Sequence, residues 1–405
     1  VQANYEDIAG GISWQAVETG STMTAVAGNG YPIDTTSNAC VITLPASASN
    51  GDTIVFADYD RTWGTNGIEL DSNGLNYQGD DDTFTVEYGT DGQAVRIVYS
   101  GATNGWIPTI DEAVEDVPSK TGLNGIFGYG YTGSNVSLTN LVSSSGVVAT
   151  DVTGVGTVRS KLAACQYGGD KGIFGYGDSA SPYASMTNLV SNAGVVATDV
   201  TGVGTGRNRL AACSYGDDKG IFVYGWTGSY VSMSNLVSNA GVVATDVTGV
   251  GTARRYLSAC EYGNDKGIFG YGNGGSYVSV TNLVSNSGVV ATDVTGVGTA
   301  REALAACSFG GNQGIFGYGT TGSDVSMTNL VSNAGVVATD TTGVGTARYG
   351  LAACEYAGDK GIFGYGNASA SYVSLTNLVS NAGVVATDVT GVGSTRYYLA
   401  ACSYN

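Results

Sequence analysis

Histidine is absent from this chain of 405 residues. Its absence excludes Ser-His-Asp and Cys-His nucleophilic systems, zinc sites built on imidazole, and acid–base catalysis by imidazole. Long apolar runs are absent too, since none approaches the roughly 18 residues that a membrane-spanning helix needs. We therefore expect no enzyme of these classes and no insertion into a membrane.

Basic residues are scarce: 16 lysines and arginines accompany 34 acidic residues, which gives a formal net charge of −18. Residues 1–121 carry 18 acidic and 3 basic side chains, and the remainder carries 16 and 13. A chain this acidic repels nucleic acid and anionic membranes, so we expect neither as a partner. Asp71 with residues 80–82 could bind calcium, but the spacing lacks an ordered ligand set and favours a solvated acidic turn. We predict no metal and no cofactor.

Glycine is abundant, with 64 residues, and it recurs in register. A unit of 47 or 48 residues occurs six times from Gly125 onward. One asparagine marks each copy: Asn140, Asn188, Asn235, Asn282, Asn329 and Asn377. Every unit holds four short apolar segments of the types Leu-Ala-Ala-Cys-x-Tyr (a), Gly-Ile-Phe-Gly-Tyr (b), Val-Ser-Met-Thr-Asn-Leu-Val (c) and Gly-Val-Val-Ala-Thr-Asp (d), with single substitutions between copies. A repeat of this length with four short strands is typical of a β-propeller blade.

The phase of the repeat predicts how the two ends of the repeated region meet. The first copy begins at segment b, at Gly125, whereas the chain ends on a lone segment a within 397–404. We predict that this C-terminal strand completes the first unit and closes a six-bladed β-propeller over residues 122–405. The fold class is therefore predicted to be all-β.

Residues 1–110 do not repeat. They alternate short β-type runs, such as 53–57 and 84–88, with turn clusters of Ser, Asn, Gly and Asp. This spacing predicts an antiparallel, β-sandwich-like domain for assembly. The polar segment 111–121 is predicted to be a linker. Val1 opens the sequence without a signal-like apolar segment, so we expect a processed chain or a piece of a longer one.

Six of the seven cysteines occupy one position in segment a. They are Cys165, Cys213, Cys260, Cys307, Cys354 and Cys402. Equivalent positions in neighbouring blades should lie farther apart than the roughly 7 Å between Cα atoms that a disulfide tolerates. We therefore predict small buried side chains with free thiols.

The connection from segment d to the next segment a carries an aspartate and an arginine eight residues apart in every copy. The pairs are Asp151/Arg159, Asp199/Arg207, Asp246/Arg254, Asp293/Arg301, Asp340/Arg348 and Asp388/Arg396. We interpret each pair as a bidentate clamp that pins the loop between blades. Six identical copies favour an architectural role over a chemical one.

The repeat resembles a known family. An arginine, a strand, a Gly-Asp-Lys turn and an aromatic strand that ends in glycine follow one another as in the kelch motif, over roughly residues 122–405. Gly-Tyr-Gly stands where the kelch pattern has a Gly-Gly doublet, and the tryptophan of its strand d is missing. The resemblance implies a kelch-like β-propeller.

The N-terminal region carries a second resemblance, in three runs. They read Thr24-Ala-Val-Ala-Gly-Asn-Gly-Tyr-Pro-Ile-Asp-Thr-Thr-Ser, Ile42-Thr-Leu-Pro-Ala-Ser-Ala-Ser-Asn-Gly-Asp and Thr65-Asn-Gly-Ile-Glu-Leu-Asp-Ser-Asn-Gly-Leu-Asn-Tyr-Gln-Gly. Together they resemble a β domain common in tail-fibre and other virion proteins of tailed bacteriophages. The resemblance covers about residues 14–106. It implies a place on the virion surface, other virion subunits as partners, and a homotrimer.

The near-identical copies differ mainly between segments b and c and just after the clamp arginine. Because strands alternate in direction, both positions should lie on one face of the propeller. Aromatic side chains on a rigid scaffold suit sugar rings or a partner protein. The predicted ligand-binding residues are Tyr131, Lys161, Tyr183, Arg209, Trp226, Tyr230, Arg255, Tyr256, Tyr277, Tyr349, Tyr372, Tyr397 and Tyr398.

These features predict a non-enzymatic virion protein of fibre or spike type that displays a propeller for recognition of a host-surface glycan or protein. One alternative is a purely architectural capsid decoration or fibre protein that binds only virion subunits. A second is a glycan-active enzyme that uses a pair of carboxylates. Its candidates are the acids outside the repeated framework: Asp178, Glu261, Glu302, Asp324 and Glu355.

Overall fold

The computed structural model describes residues 11–82, 86–113, 123–180 and 183–404. Every regular element in these ranges is a β-strand, so the fold is all-β, as predicted. The ranges contain no helix long and apolar enough to cross a bilayer. The chain divides into two compact units, Val1–Ser119 and Lys120–Asn405.

The first unit forms two sheets, of strand order β1-β3-β5-β8-β9 and β2-β4-β6-β7. The strands are β1 (Ser13–Trp14), β2 (Thr22–Thr24), β3 (Asn29–Ile33), β4 (Cys40–Thr43), β5 (Thr53–Asp58), β6 (Ile68–Asp71), β7 (Val86–Tyr88), β8 (Gln93–Tyr99) and β9 (Trp106–Ala113). Alternate side chains of both sheets enter one core, in which Ile33, Ile42, Phe56 and Trp106 are fully buried.

The pairing of the first six strands contradicts the predicted antiparallel sandwich. Strands β1, β3 and β5 pair in parallel, and so do β2, β4 and β6. Successive strands alternate between the two sheets, so each pairs with the next strand but one, which runs in the same direction. The turn cluster 47–52 thus carries the chain from one sheet to the other. Antiparallel pairing is found at β5–β8, β8–β9 and β6–β7.

Two predicted boundaries near the end of this unit also change. Strand β9 continues to Ala113, which pairs with Gln93, so residues 111–113 belong to a sheet and not to a linker. The rest of the predicted linker, 114–121, lies outside the described residues. The predicted strand 84–88 corresponds to β7, and its first two residues lie outside the described residues as well.

The second unit forms six three-stranded sheets, in which the strands follow segments a, b and c of the repeat. The strands are β10 (Asn124–Tyr131), β11 (Asn135–Val142), β12 (Ala163–Tyr167), β13 (Lys171–Gly177), β14 (Ala184–Val190), β15 (Ala211–Tyr215), β16 (Lys219–Trp226), β17 (Tyr230–Val237), β18 (Ser258–Tyr262), β19 (Lys266–Gly270), β20 (Thr281–Val284), β21 (Ala305–Phe309), β22 (Gln313–Gly317), β23 (Thr328–Val331), β24 (Ala352–Tyr356), β25 (Lys360–Ala368), β26 (Ser371–Val379) and β27 (Ala400–Tyr404).

Segment b is the central strand of each sheet and is covered by neighbouring sheets on both faces. In β13 the residues from Gly172 to Gly177 are all buried. Gly175 must be small, because a Cβ there would lie 2.6 Å from the Phe222 ring of the next sheet. Full burial of such a phenylalanine contributes about 2–3 kcal/mol. The glycines of segment b therefore allow the sheets to approach closely.

Segment d was predicted to be a fourth strand, but the structure shows an irregular edge in its place. In the first sheet it meets β11 only through isolated bridges, Val142 with Val148 and Thr139 with Val152. Three positions separate Thr139 from Val142, whereas four separate Val148 from Val152, so the pairing contains a bulge. The buried Asn140 side chain fills the gap by donating to the Ala149 carbonyl at 3.0 Å.

The two ends of the repeated region pair with each other. Strand β27 lies antiparallel to β10, with Asn124 opposite Tyr404 and Gly128 opposite Ala400. The prediction that the C-terminal strand completes the first sheet is therefore confirmed. The segment a strands contact one another in sequence order, and the last, β27, also contacts the first, β12.

Candidate functional site

The predicted clamp residues are present, but their pairing differs from the prediction. Arg159 does not pair with the aspartate eight residues before it. Instead its Nη1 lies 3.5 Å from Oδ1 of Asp199, one unit later. The other five arginines make the equivalent contact at 3.8–4.0 Å: Arg207–Asp246, Arg254–Asp293, Arg301–Asp340, Arg348–Asp388 and Arg396–Asp151. These single, long contacts are not bidentate, so that part of the prediction is wrong.

Each aspartate is held mainly by hydrogen bonds. In Asp199, the carboxylate accepts from the Thr157 backbone N–H at 3.0 Å and from its Oγ1 at 2.6 Å. Asn188 Nδ2 donates to the same carboxylate at 2.9 Å. Burial alone would raise the pKa of Asp199, but these hydrogen bonds outweigh it and hold the pKa below its ordinary value. The aspartate therefore stays ionised and ties the d–a connection to segment c.

Each arginine is fully buried and joins two sheets. The Arg159 guanidinium lies over the Tyr129 ring of the preceding sheet, 4.6 Å from its centroid. Its Nη2 donates to Asn188 Oδ1 at 2.6 Å. The stacking recurs in all six units and the bond to asparagine in five of them. Sequence reasoning used the asparagine only as a marker and missed this role.

A closed cycle of backbone hydrogen bonds lies two residues after the clamp arginines. Each N–H donates to the carbonyl of the preceding unit, at 2.6–2.9 Å. The six residues, all with φ of 53–63°, are Lys161, Arg209, Tyr256, Ala303, Gly350 and Tyr398. These residues and the leucines that follow them line a cavity of about 70 Å³, which we call the mouth.

Two further cavities follow the mouth along the segment a strands. The first, of about 110 Å³, is lined by their leucines and alanines. The second, of about 60 Å³, lies at the opposite end and is lined by the six repeat cysteines together with Glu261 and Glu355. All seven cysteines are free and buried, as predicted for the six of the repeat. Burial raises the pKa of Cys165 to about 12, so its thiol stays neutral.

The variable positions meet at the mouth end of the sheets. Isolated bridges pair the residue after each clamp arginine with the start of the b–c loop, for example Ser160 with Asp178 and Asn208 with Trp226. We call this the variable end. It contains all of the predicted ligand-binding residues.

Five tyrosines from the first and the last sheet of the repeat form one group at the variable end. Tyr372 stacks on Tyr397 with centroids 4.8 Å apart, and Tyr131 meets both rings edge-on. Tyr349 contacts Tyr397 and Tyr398, each at 6.2 Å. Burial raises the pKa of Tyr397 to about 12. Its hydroxyl is therefore neutral and can both donate and accept hydrogen bonds.

Aromatic and basic side chains form a second group beside the tyrosines. Arg255 lies 4.6 Å from the centroid of the Trp226 ring and 5.4 Å from that of Tyr230. Arg209 lies 5.1 Å from the centroid of Tyr256. Cations held over aromatic faces in this way have restricted positions.

The two groups are joined by Tyr256, which stacks on Tyr398 at 5.3 Å, and by Lys161, which lies 5.7 Å from the Tyr398 centroid. We call the joined set the aromatic–cation cluster. It consists of Tyr131, Lys161, Arg209, Trp226, Tyr230, Arg255, Tyr256, Tyr349, Tyr372, Tyr397 and Tyr398. Among the described residues, no ring contact joins Tyr183 or Tyr277 to it. Eleven of the thirteen predicted residues therefore come together.

The variable end also contains acidic and amide side chains, which were not among the predicted ligand-binding residues. Asp178 lies 2.8 Å from Lys161 Nζ and accepts a hydrogen bond from Asn208. Burial raises the pKa of Glu302, although Asn273 and Arg255 favour its charged form. The sequence signal was available, because these residues also occupy variable positions.

The acidic side chains outside the clamps are divided between the two ends of the sheets. No group of three or more Cys, Asp and Glu side chains that could hold an ion is found in the described ranges. Of the five acids considered for catalysis, Glu261 and Glu355 line the cavity at the end opposite the mouth. Asp178, Glu302 and Asp324 belong to the variable end, where Asp324 accepts from the Ser369 N–H at 2.9 Å.

Comparisons with known proteins do not add a family: no protein-family model matches the chain, and a search of curated proteins finds no match.

Proposed function

We propose that the six sheets are the blades of a six-bladed, kelch-like β-propeller closed by the C-terminal strand. Three contacts between the ends of the repeated region support this. Strand β27 pairs with β10, Arg396 approaches Asp151 at 3.8 Å, and the N–H of Lys161 donates to the Tyr398 carbonyl at 2.8 Å. The first two are contacts that every other sheet makes within itself, and the third is the bond that joins each other pair of adjacent units.

The propeller serves recognition rather than catalysis, and its ligand is a glycan of a host-cell surface. The aromatic–cation cluster carries this proposal. It is built from the positions at which near-identical copies differ, and its members contact each other across units, as Tyr256 and Tyr398 do. Unrelated changes on separate loops would not be expected to pack together in this way.

Aromatic rings of this kind are suited to sugars. Tyr372, Tyr397 and Tyr349 are half-buried, so each is fixed by its neighbours and still offers part of its ring to solvent. Fixed rings give a large apolar contact area at low conformational cost, and neutral hydroxyls add hydrogen bonds.

The virion setting rests on the N-terminal resemblance to phage tail-fibre domains. In this proposal the first unit assembles with other virion subunits, as a homotrimer, at the virion surface. Three copies of one propeller would raise the avidity of individually weak glycan sites.

The test is glycan binding by the full chain, measured by calorimetry on a panel of host-surface oligosaccharides. The double variant Tyr372→Ala/Tyr397→Ala should bind at least about tenfold more weakly, because two buried contacts of about 1 kcal/mol or more are lost. Tyr277→Ala, an exposed tyrosine outside the cluster, is the matched control and should bind normally. Equal binding by both variants would contradict the proposal.

One observation favours the architectural alternative. The first valine of segment d is 64–66% exposed in every unit: Val147, Val195, Val242, Val289, Val336 and Val384. A repeated apolar edge of this kind suits packing against other subunits. Binding of the chain to virion subunits alone, lost when Val195 and Val242 are changed to serine, would favour this function.

A further inference from the structure

We propose that the mouth binds the carboxylate of an acidic saccharide, such as a hexuronic acid, while the neighbouring tyrosines hold sugar rings of the same glycan. This inference rests on the proposed glycan recognition and names its ligand class. It follows from the placement of the basic side chains.

The repeated framework accounts for all but three basic residues of 123–404. Six arginines are the clamp residues described above. Four lysines lie in the a–b turns, each paired with the preceding aspartate: Lys171, Lys219, Lys266 and Lys360. The remaining three are Lys161, Arg209 and Arg255. All three belong to the aromatic–cation cluster, and the first two line the mouth.

Aromatic rings hold these three cations in place. Lys161, Arg209 and Arg255 lie over Tyr398, Tyr256 and Trp226, at 5.7, 5.1 and 4.6 Å from the ring centroids. A guanidinium stacked on a ring keeps its N–H donors in its own plane, where they can meet a carboxylate edge-on. Because the side chains are fixed before binding, little conformational entropy is lost when an anion arrives.

The carboxylates beside these three cations do not neutralise all of their positive charge. Asp178 neutralises Lys161 at 2.8 Å. Glu302 is the acid beside Arg209 and Arg255, and burial disfavours its charged form. One of its oxygens, Oε2, is buried without a hydrogen-bond partner, so it is not committed to either arginine. Asp178 and Glu302 are thus the two carboxylates beside the three cations, whereas the third acid of the variable end, Asp324, acts on Tyr349.

The shape of the mouth fits a small acidic group attached to a larger ligand. Its volume of about 70 Å³ exceeds the roughly 10–15 Å³ that one water needs, so it has room for a carboxylate group. Ala303 and Gly350 occupy two of its six positions and leave that side without large side chains. Tyr349, Tyr397 and Tyr398 border the same side, since Gly350 lies against Tyr397 and Tyr398. A saccharide could therefore place its carboxylate in the mouth and its rings on the tyrosines.

The experiment measures binding of the full chain to carboxylated oligosaccharides, to the same oligosaccharides after reduction of their carboxyl groups, and to sulfated ones. We expect at least one carboxylated glycan to bind about tenfold or more tightly than its reduced form, as expected for a charge-assisted hydrogen bond. Arg209→Gln should remove this preference. Lys219→Gln, which removes a cation from an a–b turn, should keep it.

The outcomes separate this inference from the proposed function. Equal binding of carboxylated and reduced glycans, weakened by Tyr372→Ala/Tyr397→Ala but not by Arg209→Gln, would overturn the carboxylate site and leave glycan recognition intact. A preference for the sulfated form would also overturn it. Binding of no glycan in any arm would overturn both. Circular dichroism and the thermal midpoint of each variant would show that it is folded.

Discussion

The backbone N–H of Lys161 donates to the carbonyl of Tyr398 at 2.8 Å, across 237 positions of the sequence. The same bond joins each of the other adjacent units, so six bonds close on themselves. The cycle fixes the backbone from which the mouth side chains project. The hydrogen bonds that join the two ends of the repeated region therefore also position the side chains of the candidate site.

The contact of Asp151 with residues 394–396, which joins the two ends of the repeated region, should stabilise the fold as much as the equivalent contacts in the other sheets. Asp246→Ala removes the acceptor of Thr205 and leaves the fully buried Arg207 without its carboxylate. We expect the free energy of unfolding to fall by about 3 kcal/mol, as measured by chemical denaturation. Asp151→Ala should cost a similar amount if the ends are joined. A much smaller loss would mean that the two ends separate in solution.

Stability should depend on the ionisation of the clamp aspartates. In all six, burial raises the pKa, but hydrogen bonds from Thr or Ser and from Asn outweigh it, and the folded pKa lies below the value of 3.8 for an unperturbed aspartate. Such groups stabilise the fold fully above about pH 4 and lose that contribution as the pH falls through the folded pKa.

Unfolding measured between pH 7 and pH 2 should therefore show a steep loss of stability below about pH 4. Asp246→Asn has no charge to titrate at that position and should show a shallower loss. A pH profile that is flat over this range would contradict the role assigned to the carboxylates.

The repeat cysteines should be inert in the native protein. They are buried, and burial raises the pKa of Cys260 and Cys354 to about 12. Almost no thiolate is present at pH 8, so a thiol reagent should label less than about one residue per chain. After denaturation all seven should react. Rapid labelling of several native thiols would show that the segment a strands are accessible.

Much of the fold could be predicted because the same pattern of segments occurs six times in the sequence. The period, the register of segments a to c and the missing partner of Gly125 follow from sequence positions alone. The partner of each arginine could not be found in this way. Asp151 and Arg159 are close in sequence, but Arg159 lies at the start of one sheet and its partner, Asp199, lies at the end of the same sheet.

Two other differences have local causes. Turn residues between strands have the same composition whether the chain makes a hairpin or crosses to another sheet, so residues 47–52 did not reveal the parallel pairing of the first unit. In segment d, the Asn140 side chain takes hydrogen bonds that a regular strand would give to backbone groups. The aromatic and basic residues of the candidate site were identified from differences between copies. Its acids, Asp178, Glu302 and Asp324, were predicted only as catalytic candidates, because aromatic and basic side chains suit sugar or protein recognition.

Binding of the full chain to host cells tests the central claim most directly. Labelled protein should bind in a saturable manner, and Trp226→Ala/Tyr230→Ala/Tyr256→Ala, which removes three rings of the aromatic–cation cluster, should abolish binding while the fold is retained. Val195→Ser, at the exposed edge of one sheet, should bind as the unmodified chain does. Absence of binding by the folded chain, or undiminished binding by the triple variant, would contradict recognition through the variable end.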